Sequence, residues 1–266
     1  MNMAKTGALA DREAAADHPV VRNIQVVDLK EVLAKGLSDF KEKPSHIVLL
    51  VLIYPIVGVL SARLAAGYDI LPLVFPLISG FALIGPLAAI GLYELSRRRE
   101  KGLEVAWKNA FDIRHSPSIG SIIALGALLM VIFLVWLATA LAIYELAFGG
   151  VAPESVGQFI SQVLTTSAGW TLIVVGCGVG FCFAVAVLAI SVVSFPMLLD
   201  RDVGAVVAIQ TSIKAVTVNP VTMAVWGMIV AGSLVVGSIP FFVGLAVVMP
   251  VLGHSTWHLY RKVVEH

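Results

Sequence analysis

The chain has 266 residues, 59% of them hydrophobic and 13% charged, where soluble domains carry roughly 45–50% apolar and about 25% charged residues. Too little polar material is left to cover a globule in water, which excludes a soluble enzyme, a disordered chain and a secreted disulfide scaffold. With 18 Lys and Arg against 17 Asp and Glu, the net charge of +1 points to no nucleic-acid partner, and the chain is expected to sit in a lipid bilayer.

In chain order, residues 1–27 read as a flexible cytoplasmic segment ahead of a single membrane domain over 28–266. From Asp28 to Phe40 the apolar residues Leu29, Val32, Leu33, Leu37 and Phe40 form a helical stripe, with Asp28 suited to the N-cap. Apolar runs then cover 47–64, 70–95, 119–147 and 168–199, each fitting one crossing of ~30 Å by about 20 residues. A fifth run, 221–258, would be more than about 50 Å long as one helix. The turn signal Gly237-Ser238-Ile239-Pro240 divides it into spans over 221–238 and 240–258. The second run carries Pro72, Pro76, Gly80, Gly85 and Pro86, so it is expected to be kinked or broken. The spacing of the first amphipathic segment recurs at Leu103–Arg114, through Leu103, Ala106, Trp107, Ala110 and Phe111. It recurs again at Val203–Val218, through Val206, Ile209, Ile213 and Val216. Each copy stops a few residues before a proline: Pro44, Pro117 or Pro220. The fold class that follows is an all-α polytopic membrane protein. Its six transmembrane helices form three hairpins, each preceded by a cytoplasmic amphipathic helix, in a threefold internal repeat.

Charge placement gives the direction. With the N-terminus inside, 17 of the 18 basic residues face the cytoplasm and only Arg63 lies outside, as the positive-inside rule requires of a protein with both termini cytoplasmic. The longest outer loop, near 148–167, holds no Lys or Arg. Cys177 and Cys182 are five apart, about 140° around a helix, and read as buried free thiols.

Ionisable groups are missing from the span midplanes, which argues against a proton-coupled transporter. Glu94, beside Arg97, Arg98 and Arg99, reads as an interface residue paired with them. His46, His115, His254 and His258 fall at cytoplasmic helix ends and, with Glu94 and Arg97, form a candidate polar cluster at that edge. His254 and His258 have the i, i+4 spacing that can hold a metal, but no third ligand stands on that helix. Neither metal, haem nor any other cofactor is expected, and no catalytic residue is assigned. Gly176 and Gly180 make a small-xxx-small ridge suited to close helix packing.

The strings Pro44-Ser-His46, Gly91-Leu-Tyr-Glu-Leu-Ser-Arg-Arg-Arg-Glu100, Ser194-Phe-Pro-Met-Leu-Leu-Asp-Arg-Asp202 and Gly253-His-Ser-Thr-Trp-His-Leu-Tyr-Arg261 resemble those of an uncharacterised bacterial integral membrane family of proteobacterial type, a domain of unknown function. The resemblance covers most of the chain from about residue 20. It implies an inner-membrane protein without an established activity, so no functional residue carries over. Some relatives bear a label resembling cytochrome c oxidase subunit I, but this sequence lacks the intramembrane histidines that would hold haem and copper. The expected role is non-enzymatic: an accessory, assembly or scaffold subunit of a membrane complex, respiratory or photosynthetic, or a self-associating or lipid-organising factor. The alternative is a transporter or channel for a small neutral or amphipathic solute.

Overall fold

The structure, a computed structural model, describes residues 19–42, 71–151, 153–240 and 242–265. The span expected over 47–64, His46 and most of the segment 1–27 lie outside the described residues. Among the described residues the regular elements are all helical. In order they are α1 (Asp28–Glu42), α2 (Leu71–Phe81), α3 (Gly85–Ala88), α4 (Ile90–Glu100), α5 (Ile119–Phe148), α6 (Val156–Thr165), α7 (Ser167–Ser191), α8 (Ser194–Asp200), α9 (Gly204–Val218), α10 (Pro220–Ser238) and α11 (Leu245–Val263). Short 3-10 helices occupy Ala82–Ile84 and Trp107–His115.

Three of these stretches are long and apolar enough to cross a membrane: α5, the run Ser167–Asp200 that takes in α7 and α8, and α10. At 30 residues, α5 is about 45 Å long. α11 also has 19 residues, but from His254 onward it turns polar with His258, Arg261 and Lys262. The run 70–95 is interrupted where its glycines and prolines fall, as α2, a 3-10 turn, α3 and α4. The second expected amphipathic segment differs from expectation. Residues 103–106 are irregular, and Trp107–His115 winds as a 3-10 helix, with the Asn109 side chain accepting from the Ala106 backbone at 2.9 Å. A further helix, α6, stands in the segment near 148–167, where none was expected.

The chain divides into two compact units, one of residues 1–44, 89–125 and 189–266, the other of 45–88 and 126–188. In the second unit the described charged residues are Glu145 and Glu154; every described Lys and Arg belongs to the first. Trp136 centres the second unit. Its indole N–H donates to the Pro76 carbonyl at 3.0 Å, its ring lies 5.5 Å from that of Phe183, and it closes on Gly180. Gly80 of α2 also sits directly against Phe133 and Trp136. Cys177 and Cys182 are free but exposed rather than buried, because α7 has almost no neighbours: only 6% of the apolar window in its run is buried within the chain.

The first unit has a dense core, built from Leu29 and Val32 of α1, Tyr93 and Leu95 of α4, Phe195, Met197 and Leu198 of α8, and Trp257, Leu259 and Tyr260 of α11. The buried face of α1 is Leu29, Val32, Gly36 and Asp39, rotated from the expected stripe so that Leu37 is exposed. Gly36 causes that rotation, because α1 meets α11 there at backbone contact. A Cβ on Gly36 would lie 2.7 Å from the Ser255 nitrogen and 2.8 Å from its Cα. Ala in a helix is ordinarily worth about 1 kcal/mol over Gly. Here Gly36→Ala is expected to cost about 2 kcal/mol instead, since backbone must move. Gly120→Ala, in open space on α5, should be neutral or stabilising. Apparent unfolding midpoints in detergent compare the two, and a Gly36→Ala protein as stable as the parent would contradict the packing.

The two ends of the described chain run side by side. The Arg22 nitrogen donates to the Val263 carbonyl at 2.7 Å, and the Glu265 nitrogen to that of Val20 at 2.9 Å. Asn219, between α9 and α10, accepts from the Ile24 nitrogen at 2.8 Å and donates to the Arg22 carbonyl at 3.0 Å.

Candidate functional site

Three helices of the first unit bring a buried polar network together: α1 supplies Asp39, α4 supplies Ser96 and Arg99, and α11 supplies His254 and His258. Gly36 seats α1 on Ser255, which places Asp39, one turn later, against α4 and α11. The Ser96 hydroxyl donates to Asp39 Oδ2 at 2.6 Å and lies 2.8 Å from His254 Nδ1. His258 Nε2 is 2.8 Å from the same Asp39 oxygen, and Arg99 pairs with Oδ1 and with Glu42. Asp39, Ser96 and His254 are all buried.

A hydroxyl has one proton, and Ser96 gives it to the carboxylate. The same hydroxyl oxygen faces His254 Nδ1, while His254 Nε2 and the Ser255 hydroxyl are buried without a geometric hydrogen-bond partner among the described residues. Burial raises the Asp39 carboxyl, but hydrogen bonds from His258 and Ser96 outweigh it and hold the group below its ordinary value. His254 lies in the polar half of α11, and there burial pushes its imidazole down to about 4 despite the attraction of Asp39. Near neutral pH the network is therefore an ionised Asp39, paired with Arg99, beside a neutral His254.

The residue types are those of a serine nucleophile site, but the connections differ. The carboxylate holds the serine rather than the far side of the imidazole, so the hydroxyl proton is drawn away from the base that would take it. The i, i+4 pair does not converge on a metal position either, because His254 faces Ser96 and His258 faces Asp39. No group of three or more His, Cys, Asp or Glu side chains with metal-binding geometry occurs among the described residues.

Glu94, Arg97 and His115 come together elsewhere in the unit, at a cleft of about 310 Å³ also lined by Arg98, Asp112, Ser118, Asp200, Arg201 and Asp202. Arg97 holds the buried Glu94 through two bonds, of 2.7 and 3.0 Å. Arg98 reaches Asp112 at 3.4 Å. Asp200 takes Lys101, Arg261 and the Tyr260 hydroxyl, and Asp202 accepts from Ser118 at 3.0 Å. The acids are thus matched inside the protein. The expected edge cluster is two groups: Glu94, Arg97 and His115 at the cleft, and His254 with His258 in the buried network. Asp39, Ser96 and Arg99 were not among the expected site residues. The one available signal was an acid at Asp39, three residues beyond Gly36 on the face of Leu29 and Val32. Among the described residues nothing packs against Gly176, and Gly180 takes the Trp136 ring.

Residues 74–200 match the model of a family described as a predicted integral membrane protein (DUF2189). That segment is just under half of the chain and runs from α2 to the end of α8; it includes Ser96 and Arg99 but neither Asp39 nor the α11 histidines. The description carries no function. No curated protein and no solved structure matches the chain.

Proposed function

We propose that this protein works through packing, as an accessory, assembly or scaffold subunit in a bacterial inner membrane or as a factor that organises lipid, with both termini in the cytoplasm. The observation that carries the reading is the bareness of its apolar helices. Buried shares of the apolar windows are 28% in α5, 6% in the run containing α7 and 22% in α10, while the charged side chains of the first unit largely pair with one another. Surfaces of that kind require lipid or other membrane helices to cover them.

The sorted charges and the pairing of Val20–Arg22 with Val263–Glu265 support an even number of crossings. We read them as three hairpins. The last closes where Gly244 packs on the Gly237 backbone.

Gly176 provides the test, since a side chain there meets nothing among the described residues. Purified in mild detergent, the protein is expected to run as a complex or with retained lipid, and Gly176→Leu is expected to shift it toward the bare monomer without lowering its stability. Gly180→Leu, against Trp136, should instead destabilise the fold. A parent protein that is a monomer with no co-purifying protein or lipid would overturn the proposal.

A further inference from the structure

We propose that α6 is an interfacial helix whose apolar face docks into the headgroup boundary of the bilayer, on the side where α5 ends and α7 begins. The inference is independent of the partner role above, because it rests on one helix and its two neighbours in the second unit.

Connectivity sets the location. α5 ends at Phe148 and α7 starts at Ser167, and both belong to stretches long and apolar enough to cross, so the segment between them must lie at a membrane surface. Val156, Phe159, Ile160, Val163 and Leu164 cover about 140° of α6, at 100° per residue. Gln158, Ser161, Gln162 and Thr165 lie on the other side. No residue of α6 is buried, and Val156, Ile160 and Leu164 are 42%, 51% and 56% exposed. The helix carries no charge, so it would be held by insertion of apolar area rather than by attraction to anionic headgroups.

The mounting is rigid. Ser155 caps the first turn by accepting from the Gln158 nitrogen at 3.1 Å. At the other end Thr166 donates to the Gln162 carbonyl at 2.7 Å and accepts from the Gly169 nitrogen at 3.0 Å. Gly169 has to lack a side chain there, because a Cβ would strike the carbonyls of Gln162 and Val163. Phe159 packs near Tyr144, ring centroids 6.2 Å apart, and Tyr144 stacks on Phe148 at 5.2 Å while donating to the Val151 carbonyl at 2.6 Å. With the exposed Trp170 in the first turn of α7, these rings are the residue types of an interfacial aromatic belt. Such helices bury their apolar face roughly 5–10 Å into the boundary, and Ile160 and Leu164 are the residues that would reach it.

The test uses the full chain with Cys177 and Cys182 replaced by Ser, a single cysteine carrying an environment-sensitive fluorophore, and phosphatidylcholine vesicles. Labels at Ile160→Cys and, separately, Leu164→Cys are expected to be quenched by phosphatidylcholine spin-labelled near the top of its acyl chain. They should also be several-fold less accessible to aqueous iodide than a label at Gln162→Cys. Equal iodide access at all three sites would overturn the proposal. Shielding from iodide without lipid quenching would overturn it as well, because the face would then be covered by protein or by a second copy.

Discussion

Replacing Asp39 by Ala is expected to destabilise the first unit by about 3 kcal/mol, the low end of the range for removing one partner of a buried ion pair. Its carboxylate is the common acceptor of Ser96, His258 and Arg99. Without it, the Ser96 hydroxyl loses the acceptor that orients it, and the His254 Nδ1 contact through Ser96 is no longer fixed. Arg99 limits the loss, because its side chain is a third exposed and keeps Glu42, so solvent screens part of its charge. Asp39→Asn, which keeps the size but not the charge, should fall between parent and Asp39→Ala. Unfolding midpoints in detergent and hydrogen exchange along α1 measure the effect. A loss below about 1 kcal/mol, the median worth of an exposed ion pair, would mean that the network is not holding α1 down.

Acid is expected to loosen the same unit in two windows. His254 is held down to about 4 in the fold against an ordinary value of 6.5. Below pH 6.5 the unfolded chain therefore binds a proton that the folded chain refuses, and stability falls as pH drops until about 4, where the folded imidazole also titrates. The shift corresponds to a loss of about 3 kcal/mol across that window. Asp39, with its carboxyl held below 3.8, contributes stability that is present above that value and lost as pH falls further through its folded value. Asp39, His258 and Arg99 act on His254, so a neutral substitution isolates it. His254→Gln should flatten the stability profile between pH 6.5 and 4 and leave the more acid loss in place. A variant with the parent's slope in that window would assign the acid sensitivity to other groups.

Composition and charge order are properties of whole segments, and they were legible without coordinates. Apolar runs long enough to span, the break in the second run at its prolines and glycines, and the confinement of described basic residues to one unit all follow from them. The site depended on single contacts. Leu37 was expected in the stripe of α1 and Asp39 was not, because counting apolar side chains cannot show that Gly36 is where two helices touch at backbone distance. Ser96 stood inside a quoted string yet carried no signal of its own, since a serine beside three arginines has no pattern that distinguishes a buried relay from a surface hydroxyl. In the sequence the α11 histidines and Glu94 share a position at helix ends. Packing separates them, placing Glu94 beside Arg97 and His258 beside Asp39. α6 gives no signal of its own in the sequence, because ten residues are half a span and its apolar positions are interleaved with Gln, Ser and Thr.

Sidedness tests most directly the proposal of three hairpins with both termini in the cytoplasm. Single cysteines at Val20, Glu154 and Glu265, in a chain lacking Cys177 and Cys182, can be probed with a membrane-impermeant maleimide in sealed vesicles of known orientation. Val20 and Glu265 should react from the cytoplasmic side alone, and Glu154 from the opposite side alone. Labelling of Glu154 from the same side as Glu265, or of Val20 and Glu265 from opposite sides, would contradict it.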